Sequence, residues 1–220
     1  FEFRMVGSAP PLGFVHTIIN ALVTNSFREF AKEIENYDGD KIKKAYEIVS
    51  REYFAHKRIL FNGNGYSDEW VEEAEKRGLS NLRTTADCLP SMLKDKNVAL
   101  YTENNVYSKE EIEARFEILA ENYCKTLNIE ALTMINMAKE DIMPSVSAFT
   151  EELAATGATK KSFCADADCT YEESLVKELS KLNGEIYKLT GKLEEVVSKA
   201  SDITDTNKAL TYFKDDVIGA

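Results

Sequence analysis

The chain is 220 residues long with 44% hydrophobic and 30% charged side chains, enough for a buried core and unlike a disordered segment. Its 38 Asp and Glu against 27 Lys and Arg give a formal charge of -11, which repels phosphate backbones and anionic lipid and excludes nucleic acid and membrane surfaces as default partners. No apolar run has the length to span a bilayer, and Glu2 and Arg4 beside Phe3 are unlike a secretory signal, so a cytoplasmic protein is expected.

Phe1 to Val6 alternates apolar and polar residues and then meets Gly7-Ser8-Ala9-Pro10-Pro11, the pattern of a strand end and a turn. A strand that starts with the first residue predicts that the natural protein extends upstream. From Phe14 through Ile18, Leu22, Phe27 and Ile34 apolar residues recur every three or four positions, predicting a wide-faced, buried helix. Tyr37-Asp38-Gly39-Asp40 ends it, and Ile42, Tyr46, Val49 and Tyr53 mark a second helix that stops near His56-Lys57-Arg58.

Ile59-Leu60-Phe61 leads into Asn62-Gly63-Asn64-Gly65-Tyr66. Ser67 is placed to cap a helix running to Arg77, with Asp68 and Glu69 in its first turn and Gly78 at its end. Thr84 to Lys94 reads as a short helix interrupted by Pro90, and Ser108-Lys109-Glu110-Glu111 as a capping box for a long helix kinked at Pro144. Lys160 to Thr170 reads as a polar connection. Beyond it Leu175, Leu179, Leu182, Ile186, Leu189, Leu193, Val196 and Ala200 form a seam suited to shallow packing on the helix from Ser108. A last helix spans about Asp205 to Val217 and runs into the chain end, predicting that the C-terminus too is cut short. No internal repeat or low-complexity tract is present.

The motifs that could carry chemistry each have a plainer explanation. Glu2 and Arg4 leave one face of a strand, where a carboxylate and a guanidinium could serve a divalent cation and a phosphoryl group, yet such a pair is ordinarily an ion pair. The glycines of Asn62-Gly63-Asn64-Gly65 expose amides before a helix, but the spacing fits neither the dinucleotide nor the Walker loop and suits a tight turn. His56-Lys57-Arg58 complements a helix C-terminus, and His16 on an apolar helix reads as an interior, hydrogen-bonded histidine. Cys88, Cys124, Cys164 and Cys169 form no disulfide framework and read as reduced thiols; the last two lack the second pair that a zinc knuckle needs.

Three stretches change this picture: Phe1 to Ser8, His56 to Val71 (HKRILFNGNGYSDEWV) and Glu121 to Leu132 (ENYCKTLNIEAL). Together they resemble the C-terminal part of type III glutamine synthetase, and the resemblance runs over essentially the whole chain. The family's Glu-x-Arg near the end of its catalytic barrel is matched by Glu2-Phe3-Arg4; its Pro-x-Leu helix start is matched only loosely by Pro10-Pro11-Leu12. The resemblance implies that Glu2 is a magnesium or manganese ligand and that Arg4 contacts the transferred phosphoryl group. It implies a parent enzyme that joins ammonia to glutamate at the expense of ATP through gamma-glutamyl phosphate, with its other ligands and its ATP pocket in upstream sequence absent here. The segment alone is expected to bind no cofactor and to be inactive.

The fold expected is mainly α: a helical bundle with a long antiparallel helical hairpin, preceded by a short strand from the end of an α/β catalytic barrel. Residues 1-36 are expected to close the catalytic domain and 37-220 to form a helical C-terminal domain. The resemblance also implies a homo-oligomer of double-ring form. A non-enzymatic helical interaction module, using the Asn62 to Trp70 loop or the leucine seam, is the competing expectation.

Overall fold

A computed structural model describes residues 11–220; the strand and turn expected over residues 1–10, with Glu2 and Arg4, lie outside the described residues. The described chain is mainly α and contains no strand. It divides into two compact units, ending and beginning at Phe116 and Glu117.

In the first unit α1 (Leu12–Glu35) and α2 (Lys41–Ala55) form a hairpin. Asp40 starts α2 by accepting hydrogen bonds from the amides of Ile42 and Lys43 at 2.9 and 3.2 Å. Glu33 of α1 holds α2 in place, accepting from Lys44 at 2.9 Å and from both terminal nitrogens of Arg51 at 2.8 and 3.0 Å. These cations pull the Glu33 carboxyl down to about 2.

Next come α3 (Asp68–Lys76), α4 (Thr85–Cys88), a 3₁₀ turn at Leu89–Leu93 containing Pro90, and α5 (Asp95–Glu103). Gly78, at φ 71°, ends α3: its amide donates to Glu75 and that of Leu79 reaches back to Ala74, the left-handed closure for which glycine has no steric cost. Asn105, at φ 53°, closes α5 in the same way through Val106 and Tyr101. The core of this unit is Ala21, Tyr101 and Ile112, with Ile18, Leu93 and Val98 against it. Burial pushes the Tyr101 phenol above its ordinary range.

The expectation of a buried α1 is corrected. Ala21 is its buried residue, whereas Leu22, Val23 and Phe27 are exposed, because the helices that pack on α1 within this unit, α2 and α5, cover one side of it. His16, expected inside, is exposed.

α6 (Lys109–Asn136) begins in the first unit and continues in the second. Its capping box forms as the sequence predicts: the Glu111 amide donates to the Ser108 hydroxyl at 3.2 Å, and the Ser108 amide donates to the Glu111 carboxylate at 2.8 Å. The helix does not stop or break at Pro144. Met137–Ile142 widens into π-type turns, with the Met143 amide reaching back to Ala138, and the helix continues as α7 (Met143–Phe163). The wide turns accommodate a ring that would otherwise clash with the preceding turn and a nitrogen that cannot donate.

Residues 164–169 then turn the chain into α8 (Thr170–Ala200), so the polar connection is shorter than expected and the long antiparallel hairpin is α7 against α8. Lys160 pairs with Glu172 and Lys161 with Glu173 near the turn. Farther along, the Asn183 amide donates to the Met143 carbonyl at 3.3 Å and to Ser147 Oγ at 3.1 Å.

The predicted seam packs on α6 at its C-terminal end, where Leu193 and Ala200, with Val197 beside them, are buried in a core with Ala131 and Ile135, whereas Leu182 and Leu189 farther up are exposed. α9 (Thr206–Tyr212), capped by Asp205, and the π-type turns Phe213–Val217 complete that core through Phe213 and Val217. The Tyr212 hydroxyl donates to the Val196 carbonyl at 2.9 Å, tying α9 to α8.

Candidate functional site

Glu2 and Arg4, the residues read as metal ligand and phosphoryl contact, lie outside the described residues. Among the described residues no group of three or more His, Cys, Asp or Glu side chains is placed to hold a metal ion.

The distinctive stretch from His56 to Trp70 is described in full, and it is a folded loop. A 3₁₀ turn at Lys57–Ile59 leads to Phe61, whose ring stacks on Trp70 with centroids 4.3 Å apart. Arg77, on the residue after α3, reaches across: one terminal nitrogen donates to the Arg58 carbonyl at 3.1 Å and to the Leu60 carbonyl at 2.7 Å. Its Nε meets Glu73 at 2.6 Å, and its guanidinium lies 5.7 Å from the Trp70 ring centre. Arg77 is thus the organising side chain of the loop, and sequence reasoning treated it only as a helix end.

Two amides at the end of the turn are engaged within the loop itself. The Tyr66 amide donates to the Asn64 side-chain oxygen at 3.0 Å, an Asx turn, and the Ser67 amide to the Asn64 carbonyl at 3.2 Å. The Ser67 hydroxyl also donates to the Asn64 carbonyl, at 2.8 Å, and makes no cap bond to α3; the expected capping is corrected, since the turn claims that hydroxyl. These bonds, all centred on Asn64, give the segment the arrangement of a structural turn. Gly63 is there for space: a Cβ would sit 2.4 Å from an edge atom of the Phe61 ring, which Trp70 holds in place. Asp68 and Glu69 occupy the first turn of α3, where they complement its dipole.

The four cysteines are free thiols; Cys88 and Cys164 are exposed, Cys124 half-buried and Cys169 buried. Burial raises the Cys124 thiol above its ordinary range, and Cys169 donates to the Gly157 carbonyl across the hairpin at 3.6 Å. The Cys124 environment disfavours the thiolate that a reactive cysteine needs. No helix among the described residues is long and apolar enough to cross a membrane.

A family model described as the glutamine synthetase C-terminal domain matches residues 44–161, more than half of the chain. A glutamine synthetase of Butyrivibrio fibrisolvens is 40% identical over 187 residues, covering 84% of this chain and 27% of that protein. A type-3 glutamine synthetase of Dictyostelium discoideum is 29% identical over 227 aligned positions, covering 99% of this chain and 30% of its own length. A glutamine synthetase of Bacteroides fragilis (strain YCH46) is 26% identical over 189 residues, covering 82% and 26%. The chain therefore spans between 26 and 30% of the length of these curated relatives. The matched family region includes α3 with Arg77 and Trp70, the capping box of α6 and nearly all of α7, and the chain belongs to the glutamine synthetase C-terminal domain family.

Proposed function

We propose that this chain is the C-terminal part of a type III glutamine synthetase, a cytoplasmic homo-oligomer that ligates ammonia to glutamate using ATP. The observation that carries the reading is the family match across residues 44–161, joined by relatives named glutamine synthetase. In this reading residues 1-36 close the catalytic domain and 37-220 form the helical C-terminal domain. The described helices serve structure; the chemistry of this chain lies in Glu2 and Arg4.

A divalent magnesium or manganese ion, when bound, would neutralise phosphate charge and polarise the transferring phosphoryl group. Glu2 would supply one carboxylate to it. Arg4 would hold the phosphoryl oxygens of the gamma-glutamyl phosphate with a planar, permanently charged fork. The test is an assay of the whole parent protein with glutamate, ammonia, ATP and magnesium or manganese. Glutamine formation that requires all four components supports the reading, and none under any of these conditions refutes it.

A further inference from the structure

An asparagine followed by glycine is a chemically labile step, because a residue with no Cβ leaves its amide nitrogen open to approach the preceding carboxamide carbon. The chain contains three such steps, Asn62-Gly63, Asn64-Gly65 and Asn183-Gly184, and the fold holds them in three different states. Asn183 lies within α8, where the helical ladder holds the Gly184 amide. Its carboxamide is pinned across the hairpin, donating to the Met143 carbonyl at 3.3 Å and to Ser147 Oγ at 3.1 Å. Asn64 is exposed, but its side-chain oxygen accepts from the Tyr66 amide at 3.0 Å and its carbonyl from the Ser67 amide and hydroxyl at 3.2 and 2.8 Å. The side-chain and backbone torsions that must turn for attack are thereby held. Asn62 is exposed, and its carboxamide makes no hydrogen bond among the described residues.

The loop also explains why glycine follows Asn62. A Cβ on Gly63 would meet the Phe61 ring at 2.4 Å, and that ring is stacked on Trp70. The packing that closes the loop therefore requires the very residue that leaves Asn62 open to attack.

We propose that Asn62 is a site of spontaneous deamidation and that its modification opens the loop from His56 to Trp70. The Gly63 amide nitrogen bonds to Asn62 Cγ while its proton passes through solvent to the departing nitrogen. The Cγ–Nδ2 bond breaks, ammonia leaves, and a succinimide ring remains. Water then opens the ring at either of its carbonyl carbons, giving aspartate or an isoaspartyl linkage. Water is the sole co-reactant, and no atom is oxidised or reduced. Both products put a carboxylate where a neutral amide stood. The isoaspartyl form also inserts a methylene into the backbone between Phe61 and Gly63, the two residues in tight contact. The Phe61–Trp70 stack and the Arg77 bonds to the Arg58 and Leu60 carbonyls loosen as a result. The inference stands on the loop itself and does not require the ligase reading.

The test is incubation of the 220-residue chain at physiological temperature and mildly alkaline pH, with peptide mass mapping and labelling of isoaspartyl groups by a protein isoaspartate methyltransferase. A mass gain equal to the exchange of NH for O is expected at Asn62, about tenfold faster than at Asn64, whose hydrogen bonds must first break, and none at Asn183. In guanidinium chloride the three steps should react at similar rates, since the fold alone separates them. Trp70 emission should move to the red in step with the modified fraction, while Asn62→Gln, which keeps an exposed amide, holds both mass and emission steady. An Asn62 that stays unmodified, an Asn64 or Asn183 that reacts as fast in the folded chain, or an emission that stays fixed as isoaspartate accumulates overturns the proposal.

Discussion

Arg51 grips both carboxylate oxygens of Glu33, at 2.8 and 3.0 Å, and so fixes α2 against α1. The direction of the Glu33 shift sets a pH dependence. A carboxyl whose folded value is depressed contributes stability that is present above its ordinary value and lost as pH falls toward the folded one. The α1–α2 hairpin is therefore expected to loosen between about 4.5 and about 2. Amide exchange of α2 followed on acidification checks this: in Glu33→Gln the protection is already reduced at neutral pH and changes less on acidification. Identical profiles would contradict it. The pair is partly exposed, so added salt should weaken it too.

Trp70 is the chain's single tryptophan and reports directly on the loop from His56. Arg77→Ala removes the donor to the Arg58 and Leu60 carbonyls and the cation near the indole. A loss of about 1–3 kcal/mol is expected, with Trp70 emission shifting to the red as water reaches the ring. Gly63→Ala should shift the emission likewise, by displacing Phe61. Unchanged spectra would show that Arg77 does not organise the loop.

Capping residues should separate by what they bond. Ser108→Ala breaks a formed capping box and is expected to cost about 0.5–2 kcal/mol in denaturant unfolding. Ser67→Ala leaves the α3 terminus as it was, because that hydroxyl bonds Asn64, and should cost less.

Much of this architecture is legible in the sequence, and the exceptions have physical causes. α1, α2 and α6 announce themselves through 3.6-residue periodicity and, for α6, a capping box. α5 does not: Val98-Ala99-Leu100-Tyr101 is a continuous apolar run without helical spacing, and Lys94 supplies no side-chain cap. Pro144 marks the place where the long helix is perturbed, but the π-type turns that precede it leave no local signature. Ser67 has the position of a cap, but Asn64 outcompetes α3 for its hydroxyl, a choice fixed by the shape of the turn. The role of Arg77 depends on carbonyls seventeen and nineteen residues away, which no local pattern encodes. The roles proposed for Glu2 and Arg4, which lie outside the described residues, rest on family resemblance alone, since a Glu-x-Arg pattern is by itself ordinarily an ion pair.

The burial pattern predicts a sharp contrast along the second unit. Leu210 is 1% exposed, and Leu210→Ala is expected to cost about 2–5 kcal/mol. Leu189, although part of the apparent seam, is 56% exposed, and Leu189→Ala should fall within about 0.5 kcal/mol of the parent chain. Urea unfolding at a concentration where the chain is monomeric measures both; equal losses would contradict the register of α8.

The reading of this chain as the end of a ligase turns most directly on glutamine formation by the full-length parent enzyme carrying Glu2→Ala or Arg4→Ala. A loss of about 100-fold or more is predicted in each variant, and Glu2→Ala should in addition need more magnesium or manganese for half-maximal activity. Near-normal glutamine formation in both variants would contradict the roles assigned to these two residues.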